Sequence, residues 1–240
     1  MLRRLTGGLR RGRRSARPPD PEPEPPPGVR DLLFADLDAA GATRVFGLGP
    51  RPSPIATMAA AVTRHDLPAA RVALADVLIR HPETRLWLQA WTLAREIGLP
   101  PSDTSDRVRG VVVEMGLEGG VDTVACYDDG SARYLNQAGG GVFWDAQSAD
   151  VAILAAVDTL LNAGQAIVEA TLPLDGPRPA PPAAGWASIA VLTEGGRYVG
   201  AGAADPFAAD PLGGPAIDAA LKLMIALIDV SQKGASTPVG

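Results

Sequence analysis

Cysteine is nearly missing from these 240 residues: Cys126 stands alone. One cysteine excludes an intrachain disulfide and a cysteine zinc cluster, and it suits a reducing compartment. Histidine is almost as scarce, with only His65 and His81. Neither is near Cys126 in sequence, so no nucleophile–base pair is suggested. Lysine is limited to Lys222 and Lys233, and alanine, glycine and proline abound, which looks like a GC-rich coding bias. No stretch approaches about 18 uninterrupted apolar residues, so no membrane span is expected. The basic N-terminus lacks the apolar run that should follow in a signal peptide. These absences point to a cytoplasmic protein.

What is present is unevenly spread. The first 19 residues carry seven arginines (Arg3, Arg4, Arg10, Arg11, Arg13, Arg14 and Arg17) and no acid. Taking these seven from 22 basic residues leaves 15 against 27 acidic ones, a net charge of −12 for the rest. A basic tail on an acidic body meets an anionic surface, folds back on the body, or stays solvated. Pro18, Pro19, Pro21, Pro23 and Pro25 to Pro27 follow. Proline fixes φ and lacks the backbone donor, so this piece favours an extended polyproline II spacer, or a ligand for a proline-recognising groove. Residues 1–28 are expected to be a disordered tail.

Residues 29–99 read as helical. A short helix is expected over 30–40, with Leu32, Leu33, Leu37 and Ala40 on one side and Gly41 as its stop. The stretch from Val45 to Pro50 is ambiguous. Three helices are expected over 54–98, with apolar residues at spacings of three and four. The third carries Trp87 and Trp91 one turn apart, either as buried anchors or as a binding platform. The segment from His65 to Trp91, with Ala70 and Pro82, resembles one tetratricopeptide-type hairpin. Such units need about three copies to stand alone, so this one implies a helical layer packed on a neighbouring domain.

Residues 104–232 read as an α+β domain with an antiparallel sheet of about five to six strands, flanked by helices. Strands are expected over 109–115, 121–127, 132–136 and 142–144. Asp128-Asp129-Gly130 is a tight-turn signal between two of them. A helix over 148–168 follows, capped by Ser148 or Asp150. A proline-rich loop over 172–185 leads to a hairpin over 186–201 about Gly195-Gly196. The last helix starts near Pro215, and the final ten residues are expected to fray.

The search for chemistry returns little. Cys126 sits inside a strand and reads as a small core hydrophobe. Glu114, Glu118, Asp122, Asp128 and Asp129 gather around two turns. Glu114, Asp122 and Asp128 are the alternative metal ligands, oxygen donors suited to a divalent ion, although no loop has the alternation of a dedicated calcium site. Gly139-Gly140-Gly141 precedes a strand and lacks a nearby lysine, which argues against a phosphate loop. Gly213-Gly214 opens a helix and reads as its start. Nucleic-acid contact would rest on the Arg tail alone, because the acidic body repels phosphate. No cofactor motif is present.

The element order from about residue 83 to 230 resembles the small dimeric chaperones of type III secretion, which are acidic α+β proteins that hold an extended partner. The resemblance lies in order and charge, and the long proline-rich loop departs from it. Roadblock and longin modules are neighbouring possibilities. The passage from Arg109 to Asp145 is also similar to bacterial proteins of unassigned function. The leading expectation is a non-enzymatic interaction or chaperone-like adaptor module, binding a protein partner or a second copy. The alternatives are a small-ligand or metal-dependent enzyme using the acidic turns, and a membrane-surface adaptor using the Arg tail. The binding residues are then the seven tail arginines with Trp87 and Trp91.

Overall fold

The computed structural model describes residues 28–80, 83–145 and 150–235. A six-stranded antiparallel sheet lies at its centre, in the order β4-β3-β2-β1-β5-β6. The strands are β1 (Gly110–Leu117), β2 (Gly120–Tyr127), β3 (Ala132–Leu135), β4 (Gly141–Trp144), β5 (Trp186–Leu192) and β6 (Arg197–Ala203). The two inner strands read as buried runs: Val111, Val112, Val113, Val124, Ala125 and Cys126 are all sealed from solvent. A strand buried on both faces needs apolar side chains in both directions, and this one has helices on both sides.

One face carries α6 (Val151–Ala170) and α8 (Gly213–Ala235), which pack on Val111, Val113, Val124, Cys126, Ile189 and Val191. Asp150 caps α6, accepting from the amides of Ala152 and Ile153; Ser148, the other expected cap, lies outside the described residues. By length and composition α6 is long and apolar enough to cross a bilayer, which the sequence reading did not anticipate. Ile153, Val157, Leu160 and Ile167 point into the protein core instead, and the helix carries Asp158 and Glu169 outside. Gly164 lets α6 approach β1 closely: a Cβ there would meet Val111 Cγ2 at 2.7 Å.

The other face carries α1 (Val29–Phe34) and α5 (Thr84–Glu96). Leu33, Phe34 and Leu88 pack there on Val112, Ala125, Tyr127, Ala190 and Leu192. Outside them, α2 (Ala39–Phe46), α3 (Pro54–Thr63) and α4 (Leu67–Ile79) form a helical layer with its own core. So the three helices expected over 54–98 exist. The single helix expected over 30–40 does not: it is two helices with a break at residues 35–38. Ala35 adopts φ 50°, the left-handed turn that ends α1. Gln89 holds both the amide and the carbonyl of Leu37, at 3.1 and 2.8 Å, and Thr92 donates to the carbonyl of Ala35. Asp38 then caps α2, accepting from Gly41 at 2.6 Å, so Gly41 starts this helix and does not stop one.

Two other boundaries differ from expectation. A short helix α7 (Ala204–Ala208) follows β6, where Phe207 packs over Gly200 and Gly202. Helix α8 begins at Gly213, where Asp210 accepts from the amides of Leu212 and Gly213, and it extends to Ala235, past the expected fraying point.

Candidate functional site: a groove beside α1

The charged residues are the natural place to look for chemistry, and they are largely consumed by one another. Arg30 and Glu114 form a buried two-pronged pair at 2.5 and 2.7 Å. Ser188 adds a donor to Glu114 at 3.1 Å. Arg178 bonds Asp31 at 2.5 Å and lies 3.4 Å from Asp36, which also pairs with Arg197. Burial raises the Asp36 carboxyl against the opposing pull of these two arginines.

A second network lies where β1 begins and β5 turns into β6. Arg109 bonds Asp128 at 2.7 Å and Glu194 at 3.1 Å. Burial opposes its charge, but the two carboxylates outweigh this and hold the guanidinium more basic than usual. Asp128 and Asp129 also take the hydroxyl and amide of Thr84, at 2.7 and 2.8 Å. Thr84 opens α5, whose own Glu83 makes no capping bond. The acidic turn therefore caps a helix from across the interface.

These positions revise the metal alternative. Glu114 lies mid-strand against Arg30, not in a turn. Asp122, on β2, accepts from Tyr134 and from the amide of Gln137, both at 2.8 Å. Burial and Asp122 together push the Tyr134 phenol up to about 12, so it remains a donor. Asp128 is at the far end of the strands. The three do not converge, and among the described residues no group of three His, Cys, Asp or Glu is placed to hold an ion.

Trp91 is 6% exposed, and Trp87 packs edge-on to it at 6.3 Å, with Arg109 stacked 4.3 Å over its ring. They serve as anchors of the helical layer and offer no open platform. Cys126 is sealed in the core, where burial pushes its thiol far up. His65 occupies the α3–α4 turn at φ 53°. His81, Pro82 and the seven tail arginines lie outside the described residues. The amide cradle at Gly213-Gly214 is filled by Asp210. Asn136 Oδ1 likewise takes the amides of Ala138 and Gly140 in the triple-glycine turn.

Two hollows flank α1. Helix α1 rides as a ridge on the sheet, with Arg30 and Leu33 seated on its central strands. On the β5–β6 side is a cavity of about 270 Å³, lined by Phe34, Arg178, Trp186, Ser188 and Val199. The chain itself roofs it with Pro179–Ala183. That loop lies directly on β1, since a Cβ at Gly116 would meet the Ala183 carbonyl oxygen at 2.1 Å. On the β3–β4 side is a groove of about 200 Å³, lined by Val29, Leu33, Val121, Thr123, Leu135 and Phe143. Both volumes fall short of the roughly 300–1,000 Å³ of small-molecule sites.

A larger open cleft of about 710 Å³ lies among Asp36, Arg95 and Arg197. Arg95 there bonds only neutral acceptors, the carbonyl of Glu194 and the Thr92 hydroxyl. Burial and then Arg197 lower its guanidinium to about 10. Glu96 and Asp175 on the same rim oppose an anion.

The β3–β4 groove is the more telling feature. Helices α1 and α5 cover this face over the central strands and stop short of β4. Phe143 is left 64% exposed on that outer strand. The far edge of the sheet is different: there the amide of Leu174 donates to Arg197 and α7 packs on β6. Sequence reading missed the groove. Phe143, an aromatic on a short glycine-flanked strand, was the one signal for it.

Compared with known proteins, the chain matches no family model, no curated protein and no solved structure.

Proposed function

We propose that this protein is a non-enzymatic interaction module that holds an extended segment of a partner protein in the groove between α1 and β4. The observation that carries the reading is the hollow beside Phe143, which is 64% exposed with the Arg133 guanidinium 5.7 Å from its ring, on β4, an end strand that only β3 pairs among the described residues. An edge strand offers unpaired backbone groups to an added chain, and apolar hollows beside it select side chains. The low volume of the groove suits one or two side chains of a peptide better than a nucleotide or a drug-sized ligand. The engaged state of the charged groups is in keeping with this: the buried carboxylates Glu114 and Glu194 both face arginines.

The test is co-purification of the tagged full chain from its host, beside the Phe143→Ala variant. A stoichiometric partner held by the wild type and lost from the variant is the expected result. The same partners in both samples would overturn the reading. Phe143 is exposed, so its loss leaves the core intact; Leu48→Ala, 87% exposed on the helical layer, is the control that should lose nothing.

A further inference from the structure

We propose that the partner at β4 is a second copy of this chain, which adds its own β4 antiparallel across a two-fold axis to make one continuous sheet. The proposal rests on the groove reading above and names the partner.

The backbone of β4 sets the register. Along an antiparallel strand, successive residues bond alternately to one side and to the other. Asn136 donates to the Gly140 carbonyl at 2.9 Å, which fixes the phase of the β3–β4 pair. Val142 and Trp144 therefore bond inward, to Tyr134 and Ala132. The same phase holds one strand further in, where the Tyr127 amide donates to the Ser131 carbonyl at 3.0 Å. The amides and carbonyls of Gly141 and Phe143 are left facing away from β3. Within the four residues of β4, one two-fold register satisfies both. It sets Gly141 opposite the partner's Phe143, and Val142 opposite the partner's Val142. Each Gly141–Phe143 pair then exchanges two backbone bonds.

The side chains fit the same register. Gly141 and Phe143 both line the groove beside α1. The Phe143 ring leans along its strand, with Cε2 3.4 Å from where a Cβ on Gly141 would stand, and Leu135 Cδ2 leans in from the other side at 2.6 Å. Phe143 and the partner's Phe143 become diagonal neighbours across the axis, about 7–8 Å apart along the backbone, which aromatic side chains span. Each ring has a glycine directly opposite, so the two rings meet over the axis beside Leu135. On the other face Val142, which packs toward α6 and α8, meets the partner's Val142 in a β-branched cross-strand pair.

Charge singles out a copy as the partner. Unlike proteins select each other through opposite charges, whereas two copies bring identical charges together and like charges repel. One residue in five of this chain is charged, at 20%, yet the nine residues from Asn136 to Trp144 carry no charge at all. The flanking charges, Arg133 and Asp145, bond each other at 3.1 Å. Asp145 falls opposite the partner's Gly139, so no like charges meet. Four residues a side is far below the roughly 20–30 of a stable interface, so the dimer is reversible and forms with rising concentration.

The experiment is sedimentation equilibrium of the full chain from about 10 µM to about 1 mM, the span of weak complexes. The wild type should pass from monomer to dimer. Phe143→Ala, which removes an exposed ring, should weaken the dimer at least about tenfold with an unchanged far-UV circular dichroism spectrum. Val142→Cys tests the register. The two copies of residue 142 form a non-hydrogen-bonded pair with Cα atoms about 4.5 Å apart, inside the roughly 4.4–6.8 Å of a disulfide. With oxidised glutathione as the oxidant this variant should form a disulfide-linked dimer, while Val72→Cys, 71% exposed on α4, should not. Cys126 is sealed in the core and takes no part. A wild type that stays monomeric at about 1 mM would overturn the proposal. So would Phe143→Ala dimerising as well as the wild type, or Val142→Cys crosslinking no faster than Val72→Cys. Loss of a different protein from the Phe143→Ala co-purification would then still support the groove reading alone.

Discussion

Removing Arg30 alone should cost the fold more than removing Arg30 and Glu114 together. Glu114 has 2% of its side-chain surface exposed and Arg30 has 8%. The pair links α1 to the central strand of the sheet, with a 3.1 Å bond from Ser188 to Glu114, a 3.2 Å bond from Arg30 to the Pro179 carbonyl, and the Arg30 guanidinium 5.0 Å over the Phe34 ring. In Arg30→Met the carboxylate stays buried with only Ser188 as a donor. Stranding one member of such a pair costs about 3–5 kcal/mol. For a chain of this size each kcal/mol moves Tm by about 2–4 °C, so a fall of about 6–20 °C is expected. In Arg30→Met/Glu114→Leu both charges are gone and the space is filled, so stability should return to within about 1 kcal/mol of wild type or exceed it.

The assay is urea unfolding followed by far-UV circular dichroism for the wild type, both single variants and the double variant. The slope against urea should stay constant, so that midpoints report stability. With each single variant stranding one buried charge at about 3–5 kcal/mol and the double variant costing at most about 1 kcal/mol, the cycle should give a coupling of at least about 5 kcal/mol between the two sites. Two results would refute the reasoning. One is an Arg30→Met cost below about 1 kcal/mol, the value of an exposed ion pair. The other is a double variant as unstable as the two singles added. Either would mean that water reaches the pair and that α1 is held by its apolar side, Leu33 and Phe34, without it.

Two further outcomes follow from packing and protonation. Gly164→Ala should lower stability by about 1 kcal/mol in the same assay: the better helix former contributes about 1 kcal/mol, but overpacking against the stiff Val111 costs about 1–3 kcal/mol. A gain would show that α6 can retreat from the sheet freely. Burial works against the charge of Asp129, but bonds from Ser131 and Thr84 outweigh it and hold the carboxyl below its ordinary 3.8. Its stabilisation is fully present above that value and is lost as pH falls below it through the lowered folded-state value, so Asp129→Asn should be less stable near neutrality and lose less below about pH 4.

The β-rich half was legible because short-range rules govern it. Asp128-Asp129-Gly130 closes a hairpin whatever lies around it, with Gly130 at φ 82°, and alternation within β5 and β6 needed only a sheet with two faces. The break between α1 and α2 was illegible for the opposite reason. Nothing near Ala35 forbids a continuous helix. The chain turns there because Gln89 and Thr92, more than fifty residues away, take the backbone groups that a helix would have used. Helix α5 makes the same point at its N-terminus. Its cap is supplied by a turn 44 and 45 residues later, so a local search for a capping residue at Glu83 finds none.

The same kind of long-range pairing sets the places of the acidic residues, which form no group of three placed to hold an ion among the described residues. Read locally, Glu114, Asp122 and Asp128 are carboxylates close in sequence, and proximity suggested a shared ion. Strand pairing separates them: Glu114 faces Thr123 and Ser188 across the sheet, so its partner must come from the layer above, and that layer supplies Arg30. Charge scattered along a sequence becomes structural when a fold stacks an arginine-bearing layer on an acid-bearing one. Here this engages the buried carboxylates Glu114 and Glu194 and leaves an apolar remainder. Phe143 belongs to that remainder because α1 is only six residues long, about 9 Å, and runs out before the sheet does.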